Sequence, residues 1–245
     1  MPSIFREPDV ALAYEYLPGA PPVVVFCPGY ASDMNGTKAL ALEADCRARG
    51  QAMLRFDYSG HGRSGGDFLA GTIGAWAADT AHIIRTVIPE QQIILVGSSM
   101  GGWISLLLGR DMPHHLAGML LIAPAADFTE ALIRPTLTPA EMTELRENGV
   151  SYRPSEYGAP LPLTLKFLEE GAKHLVLGAK ISITCPVTIL QGMRDDDVPW
   201  QHGFKIAEAL ESEAVRMTFI KDGDHRLSRP EDLFLLVSAL AALLG

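Results

Sequence analysis

The residues best suited to chemistry form a G-x-S-x-G motif at 97–101, with Ser99 at its centre. The motif follows the apolar run at 93–96 and leads into a segment with helical spacing. In such a strand–turn–helix unit the serine hydroxyl stands exposed above a sheet, and glycines let strand and helix approach closely. Ser99 is therefore a candidate nucleophile. The alternative, for these five residues alone, is a glycine-rich turn without chemistry.

A candidate base for Ser99 can be chosen from the order of residues along the chain. A serine hydroxyl needs a general base and usually an acid that orients the base, and with this motif the acid and then the histidine follow the serine. Of the seven histidines, only His202 and His225 follow the strongest acidic candidates. His202 lies in a helical pattern and is expected at the surface. His225 follows the strand-like run at 215–220, at the edge where α/β sheets keep their sites, and is the candidate base.

The candidate acid also follows a strand-like run. Residues 187–190 lead into Asp195, Asp196 and Asp197, which cannot all face inward. Spacing alone barely separates these three residues. Asp127, which follows the run at 119–123, is a further alternative.

Two backbone N–H groups are needed to bind the negative oxygen that develops during attack by a serine. The residue after the nucleophile, Met100, supplies the first. The second donor is expected from Pro28-Gly29-Tyr30, which follows an earlier strand. It is expected to be the N–H of Tyr30, because Pro28 has no N–H.

The elements that must position these residues alternate along the chain. Strand patterns occupy 10–16, 23–27, 52–56, 93–96, 119–123, 187–190 and 215–220. Helical patterns occupy 37–49, 72–87, 103–108, 200–210 and 230–244. This alternation predicts one α/β domain, 1–245, with a mostly parallel sheet, helices on both faces and an antiparallel edge at the start.

The alternation is interrupted at about 127–180. Two helical patterns, 139–148 and 161–174, lie in this segment, and Thr138 with Glu141 forms a capping-box signature before the first. Long excursions of this kind are more often functional lids than linkers. The segment is predicted to be a short helical lid.

Composition excludes several classes of function. The 245 residues are 48% hydrophobic with a net charge of −9, so clustered basic residues for nucleic acid are not expected. Three cysteines without C-x-x-C spacing indicate neither a disulfide framework nor a metal site. The sequence contains no uncharged apolar run of about 18 residues, so a transmembrane helix is not expected. A soluble cytoplasmic protein without cofactor or metal is expected.

The whole sequence resembles the α/β-hydrolases. The blocks that carry this resemblance lie at 26–40, 55–60, 96–103, 192–200 and 224–226. They resemble in particular the mammalian mitochondrial branch described as palmitoyl-protein thioesterases and acyl-glucuronide esterases. The resemblance implies Ser99 as nucleophile, His225 as base, Asp195 in a G-x-x-D-x-x-V-P frame as acid, and a lid. The chain starts close to the fold without an Arg-rich transit segment, so mitochondrial import is not expected to carry over.

The expected reaction is hydrolysis of a carboxylic ester or thioester through an acyl-Ser99 intermediate. The substrate would be a small ester or thioester, or an acylated protein. Two alternatives remain: the same residues could cleave C–C or amide bonds, or the fold could be a catalytically silent binding module. The complete order of serine, acid and histidine favours an enzyme.

Overall fold

A computed structural model describes residues 2–7, 10–154 and 158–245. The strands are β1 (Ser3–Glu7), β2 (Val10–Leu17), β3 (Ala20–Cys27), β4 (Gln51–Phe56), β5 (Ile93–Ser98), β6 (Leu116–Ile122), β7 (Val150–Arg153), β8 (Leu161–Thr164), β9 (Val187–Gly192) and β10 (Val215–Ile220). The helices are α1 (Thr37–Arg49), α2 (Ile73–Val87), α3 (Met100–Asp111), α4 (Pro139–Asn148), α5 (Leu165–Gly171), α6 (Trp200–Ala209) and α7 (Pro230–Leu244).

Eight strands form one sheet in the order β1-β2-β4-β3-β5-β6-β9-β10. β1 and β2 pair antiparallel, β2 joins β4 antiparallel, and every pair from β4 to β10 is parallel. The expected antiparallel start and mostly parallel sheet are confirmed. The carboxyl ends of β3, β5, β9 and β10 therefore meet at one edge, where α/β folds place their ligands.

Helices cover both faces of this sheet. Side chains along β3 alternate, with Val23 and Val25 in one core cluster and Val24 and Phe26 in the other. The first cluster packs under α2, α3 and α6, and the second packs under α1 and α7. This two-sided burial explains why β3 is a continuous apolar run without a polar face.

The segment 127–180 departs partly from its predicted structure. α4 has the expected bounds, and Thr138 and Glu141 form the predicted capping box. The predicted helix at 161–174 is wrong at both ends, because β8 pairs antiparallel with β7, and α5 begins only at Leu165 and ends at Gly171. Pro162 disfavours helical backbone at the preceding residue, and Thr164 caps α5 by accepting from the Phe167 N–H. Residues 155–157, which join the two strands, lie outside the described residues.

The longest described helices, α2 and α7, contain 15 residues each. None of the described helices combines the length and the apolar character needed to cross a bilayer.

Candidate active site

Ser99 lies on the turn between β5 and α3, with backbone angles of φ 54° and ψ −118°. A positive φ is strained for a residue with a side chain. A side chain at Gly97 would collide with the carbonyl of Gly101, and one at Gly101 would collide with the carbonyl of Cys27. The two glycines of the motif are therefore needed for the close approach of α3 to β3 and β5.

The backbone of Ser99 is also fixed by the neighbouring strand. Its N–H donates to the carbonyl of Ile122 at 2.9 Å, and its carbonyl accepts from the Ala125 N–H at 3.0 Å. These bonds hold the strained turn in place while the side chain remains partly accessible.

The imidazole of His225 connects Ser99 to Asp195. His225 Nε2 lies 3.0 Å from Ser99 Oγ, and Nδ1 lies 2.9 Å from Asp195 Oδ2. Because a carboxylate can only accept, Nδ1 donates to Asp195 and the neutral ring presents Nε2 as acceptor to the serine hydroxyl. The three residues form one continuous chain of hydrogen bonds.

The carboxylate of Asp195 is fully buried and held from both sides. Oδ1 accepts from the N–H groups of Asp197 at 3.0 Å and Val198 at 2.7 Å. Oδ2 accepts from His225 and from the side-chain amide of Gln191 at 3.2 Å. Four donors occupy the acceptor sites of a carboxylate. Gln191 was not predicted from the sequence, where its only signal is its position directly before the G-x-x-D frame.

Among the described residues, Asp195 is the carboxylate that bonds His225, and the alternative acids do not share this contact. Asp196 and Asp197 are exposed. The buried carboxylate of Asp127 accepts from the N–H groups of Val176 and Leu177, at 2.8 Å for the shortest bond to each. Burial raises the pKa of the Asp127 carboxyl, and these two N–H groups oppose the rise. Asp127 therefore joins the start of the segment 127–180 to residues near its end, and its carboxylate does not bond His225.

The expected surface position of His202 is wrong. This residue lies in the first turn of α6, is only 3% exposed and places Nε2 2.6 Å from the carbonyl of Ala126. Burial lowers the pKa of its imidazole. Helical spacing predicted the helix but not which face of it packs on the loop after β6.

The loop after β3 brings the Gly29 backbone, directly before Tyr30, beside Ser99. A Cβ placed on Gly29 would lie 3.4 Å from the Ser98 carbonyl and 3.5 Å from Ser99 Cβ, so the loop touches the turn. The hydroxyl of Tyr58 donates to the Pro28 carbonyl at 3.1 Å and holds the loop from below. Met100 occupies the first position of α3, where a helical N–H has no partner in the preceding turn.

Two further contacts position the loop that carries His225. Lys38, in the first turn of α1, donates to the carbonyl of Arg226 at 2.5 Å. Burial lowers the pKa of its ammonium to about 8. A side chain at Gly192 would collide with the carbonyls of Gly223 and Asp224, so this glycine lets the acid and base loops meet.

Aromatic side chains surround Tyr30 beside the candidate site. The ring centroids of four residues lie 5.0 to 6.4 Å from that of Tyr30; they are Phe68, Trp76, Phe128 and Phe167. Phe128 and Phe167 belong to the segment 127–180. The Tyr30 hydroxyl also donates to the carbonyl of Pro162 in β8, which joins this segment to the loop after β3.

One cluster of the described residues has spacing that a metal ion could use. Ligand atoms of Asp195, Asp197 and His225 lie within 4.8 Å of one another. Asp195 and His225 already bond each other, and Asp197 is exposed. These contacts explain the cluster without a metal.

The sequence is similar to known hydrolases. The model of the Hydrolase_4 family, described as serine aminopeptidase, S33, matches residues 20–149. The mouse protein named palmitoyl-protein thioesterase ABHD10, mitochondrial, is 38% identical over 95% of this chain and 78% of its own length. The resemblance found in the sequence is confirmed.

Solved structures agree with the sequence comparisons. A protein from Agrobacterium vitis S4 designated a hydrolase has a TM-score of 0.95 and 42% identity, covering 99% of this chain and 97% of its own. Mouse α/β-hydrolase domain-containing protein 10 has a TM-score of 0.90 and 36% identity, with the same coverage of the two chains. The predicted α/β-hydrolase fold is confirmed.

The predicted cytoplasmic location is contradicted by the relatives, since the name of the mouse protein places it in mitochondria. The human relative, 37% identical over 99% of this chain and 79% of its own length, carries the same designation. The family and the full-length similarity lead to one conclusion: the chain belongs to the Hydrolase_4 family of α/β-hydrolases.

Proposed function

We propose that this serine hydrolase cleaves acyl thioesters and oxygen esters, with Ser99 as nucleophile, His225 as general base and Asp195 as the acid that orients it. The observation that carries this proposal is the unbroken chain of hydrogen bonds from Asp195 through His225 to Ser99, on a strained and accessible turn. The full-length similarity to a palmitoyl-protein thioesterase supports the choice of bond.

In the first half-reaction, His225 Nε2 accepts the hydroxyl proton while Ser99 Oγ attacks the acyl carbon. The carbonyl oxygen becomes an anion, and the N–H groups of Tyr30 and Met100 would bind it. Removing one such donor typically costs 10²- to 10³-fold in kcat, or about 2.7 to 4 kcal/mol. Collapse of the intermediate breaks the bond to sulfur or oxygen, and the imidazolium gives its proton to the leaving thiol or alcohol.

In the second half-reaction, water takes the place of the departed thiol or alcohol. His225 accepts a proton from the water, the resulting hydroxide attacks the acyl carbon, and the acid is released as the proton returns to Ser99. Asp195 keeps one tautomer of the ring in both halves and stabilises the imidazolium that forms in each. No group outside the described residues is required for these proton transfers.

We propose that the segment 127–180 acts as a lid of a single domain, 1–245, and helps to bind the acyl chain. Phe128 and Phe167 place aromatic rings beside Tyr30, whose N–H is proposed to face the reacting oxygen. Each methylene buried against such a surface contributes about 0.8 kcal/mol. A long acyl chain would therefore gain binding energy that an acetyl group cannot.

The alternative of a silent binding module has less support. A binding protein has no need for an accessible serine held at positive φ. It also has no need for a buried carboxylate, held by four donors, that orients the imidazole of His225. Amide cleavage uses the same groups but must expel a poorer leaving group, so we expect it to be slower than thioester cleavage.

The experiment that tests this proposal is a substrate panel measured with the purified protein. It includes thioesters and oxygen esters from acetyl to palmitoyl, one acyl glucuronide and matched amides, with Ser99→Ala as control. We expect turnover of esters and thioesters that rises with chain length and disappears in Ser99→Ala. Turnover of amides alone, or equal turnover in Ser99→Ala, would contradict the proposal.

A further inference from the structure

The side chain of Gln191 contacts the candidate acid from inside the protein. It is fully buried near the end of β9, and its Nε2 lies 3.2 Å from Asp195 Oδ2 and 3.1 Å from the carbonyl of Val198. The carbonyl of Gly192 lies further away, at 3.4 Å. Because all three neighbours are acceptors, the nitrogen and not the oxygen of the amide must face them.

The other end of this amide has no comparable partner. Gln191 Oε1 is buried and accepts no hydrogen bond from the described residues. An unpaired buried acceptor lowers the free energy of unfolding, and an apolar side chain of the same shape would avoid that loss. Stability alone therefore does not explain a glutamine at this position.

A second unfavourable residue faces the same amide. Gly203 lies inside α6, where glycine is a poor helix former, and a Cβ at this position would lie 2.9 Å from Gln191 Oε1. Gly203 thus leaves room for the oxygen while the nitrogen reaches Asp195. Two residues that are each unfavourable for stability combine to hold one donor against one carboxylate oxygen.

We propose that Gln191 is a positioning residue for Asp195, an inference that rests on the proposed role of Asp195 as acid. The amide donates to Oδ2, the same oxygen that accepts from His225 Nδ1. The two N–H groups on Oδ1 come from the loop that bears Asp195 itself, whereas Gln191 ties the carboxylate to the central sheet. The second N–H of the same amide donates to the carbonyl of Val198 and closes the same loop. Without this donor the carboxylate can rotate, and His225 loses its alignment with Ser99.

The test compares Gln191→Met with a matched control, Gln51→Met. Gln51 is a second buried glutamine, which donates to the carbonyls of Ala20 at 2.7 Å and Pro22 at 2.5 Å at the start of β4. Gln191→Met is expected to lower kcat by about tenfold or more for esters and thioesters alike, with KM within about twofold and Tm unchanged or raised. Gln51→Met is expected to lower Tm and leave kcat unchanged.

A second variant and one double variant complete the test. Gly203→Ala, which displaces the amide oxygen without changing Gln191, is expected to lower kcat in the same direction. In an Asp195→Asn background, Gln191→Met is expected to cause no further loss, because the two residues act as one unit.

Three results would overturn the role of Gln191. The first is a kcat of Gln191→Met within about twofold of wild type. The second is a fall in the Tm of Gln191→Met like that of Gln51→Met, without a loss of kcat. The third is a full additional loss of kcat when Gln191→Met is added to Asp195→Asn. A mild Asp195→Asn variant would instead overturn the acid assignment, and the role of Gln191 with it. The two failures are therefore distinguishable.

Discussion

The hydroxyl of Tyr30 donates a hydrogen bond of 2.5 Å to the carbonyl of Pro162. Tyr30 belongs to the loop beside Ser99, and Pro162 belongs to β8 of the segment 127–180. The same residue is thus proposed to bind the reacting oxygen through its backbone and to hold the lid through its side chain. The loop itself is held by the hydroxyl of Tyr58, and the Tyr30 contact joins this loop to the segment 127–180.

Tyr30→Phe should change the chain-length preference without changing the chemistry. The variant keeps the backbone N–H and the aromatic ring and loses only the bond to Pro162. One hydrogen bond contributes about 0.5 to 1.5 kcal/mol, so kcat/KM for palmitoyl substrates should fall by about 2- to 10-fold while that for acetyl esters stays unchanged. Parallel kinetics with acetyl and palmitoyl thioesters measure this difference.

Tyr152→Phe is the matched control, since Tyr152 lies on β7 of the same hairpin and is 56% exposed. It should leave both substrates unchanged. An equal loss for acetyl and palmitoyl substrates in Tyr30→Phe would show that the hydroxyl acts on the loop after β3 instead of on the segment 127–180.

Asp195→Asn and Asp127→Asn should separate catalysis from stability. Asp195→Asn allows the wrong imidazole tautomer and should lower kcat by roughly 10⁴-fold, whereas Asp196→Asn and Asp197→Asn should stay within about tenfold of wild type. Asp127→Asn weakens the bonds to Val176 and Leu177 and should lower the free energy of unfolding by about 1 to 3 kcal/mol with little effect on kcat. Steady-state kinetics and urea unfolding of the same samples measure these two effects. A small loss of kcat in Asp195→Asn together with a large loss in Asp127→Asn would show that Asp127 is the acid.

The buried imidazole of His61 should make stability depend on pH. Burial lowers the pKa of His61 to about 4, and a hydrogen bond with the backbone of Ser59 opposes this change. The ring nitrogen Nε2 has no hydrogen-bond partner among the described residues. The unfolded chain gains its proton near pH 6.5 but the folded chain only near pH 4, so stability is lost as the pH falls through this interval. At pH 5 the loss relative to pH 7 is about 2 kcal/mol.

Urea unfolding at pH 7 and pH 5 measures this loss, with His61→Phe as the comparison. Phenylalanine keeps a ring against Phe68 and Trp76, whose centroids lie 4.9 Å from that of His61. The wild type should lose about 2 kcal/mol more than the variant between the two pH values, because buried His202 contributes equally to both proteins. Equal losses in the two proteins would exclude His61 as the cause.

The candidate triad could be predicted because each member follows a recognisable strand. Ser99, Asp195 and His225 lie just beyond β5, β9 and β10, and parallel strands bring these ends to one edge of the sheet. The order of residue types then removed most competing histidines. The choice of Asp195 among its neighbours came from the resemblance, and the structure brings that carboxylate to His225.

Other features depend on packing that spacing does not record. The face of α6 that buries His202 is set by the loop after β6, and helical periodicity cannot identify that contact. The start of α5 was misplaced because an apolar run such as 161–168 fits a strand or a helix equally well. Gln191 was missed because a lone polar residue at the end of a strand is usually at the surface, whereas this one is buried against a carboxylate.

Ser99 is proposed to carry the acyl group between the two half-reactions. Ser99→Ala should lower kcat by about 10⁶-fold, and Ser98→Ala, one residue away on β5, should remain active.

The most direct measurement is rapid quenching of the enzyme with excess palmitoyl thioester, followed by intact-protein mass spectrometry and peptide mapping. Wild type and Ser98→Ala should each gain one palmitoyl group, located on Ser99, and Ser99→Ala should gain none. A palmitoyl group found on any other residue of an enzyme that is still turning over, or an acylated and active Ser99→Ala protein, would contradict this role of Ser99.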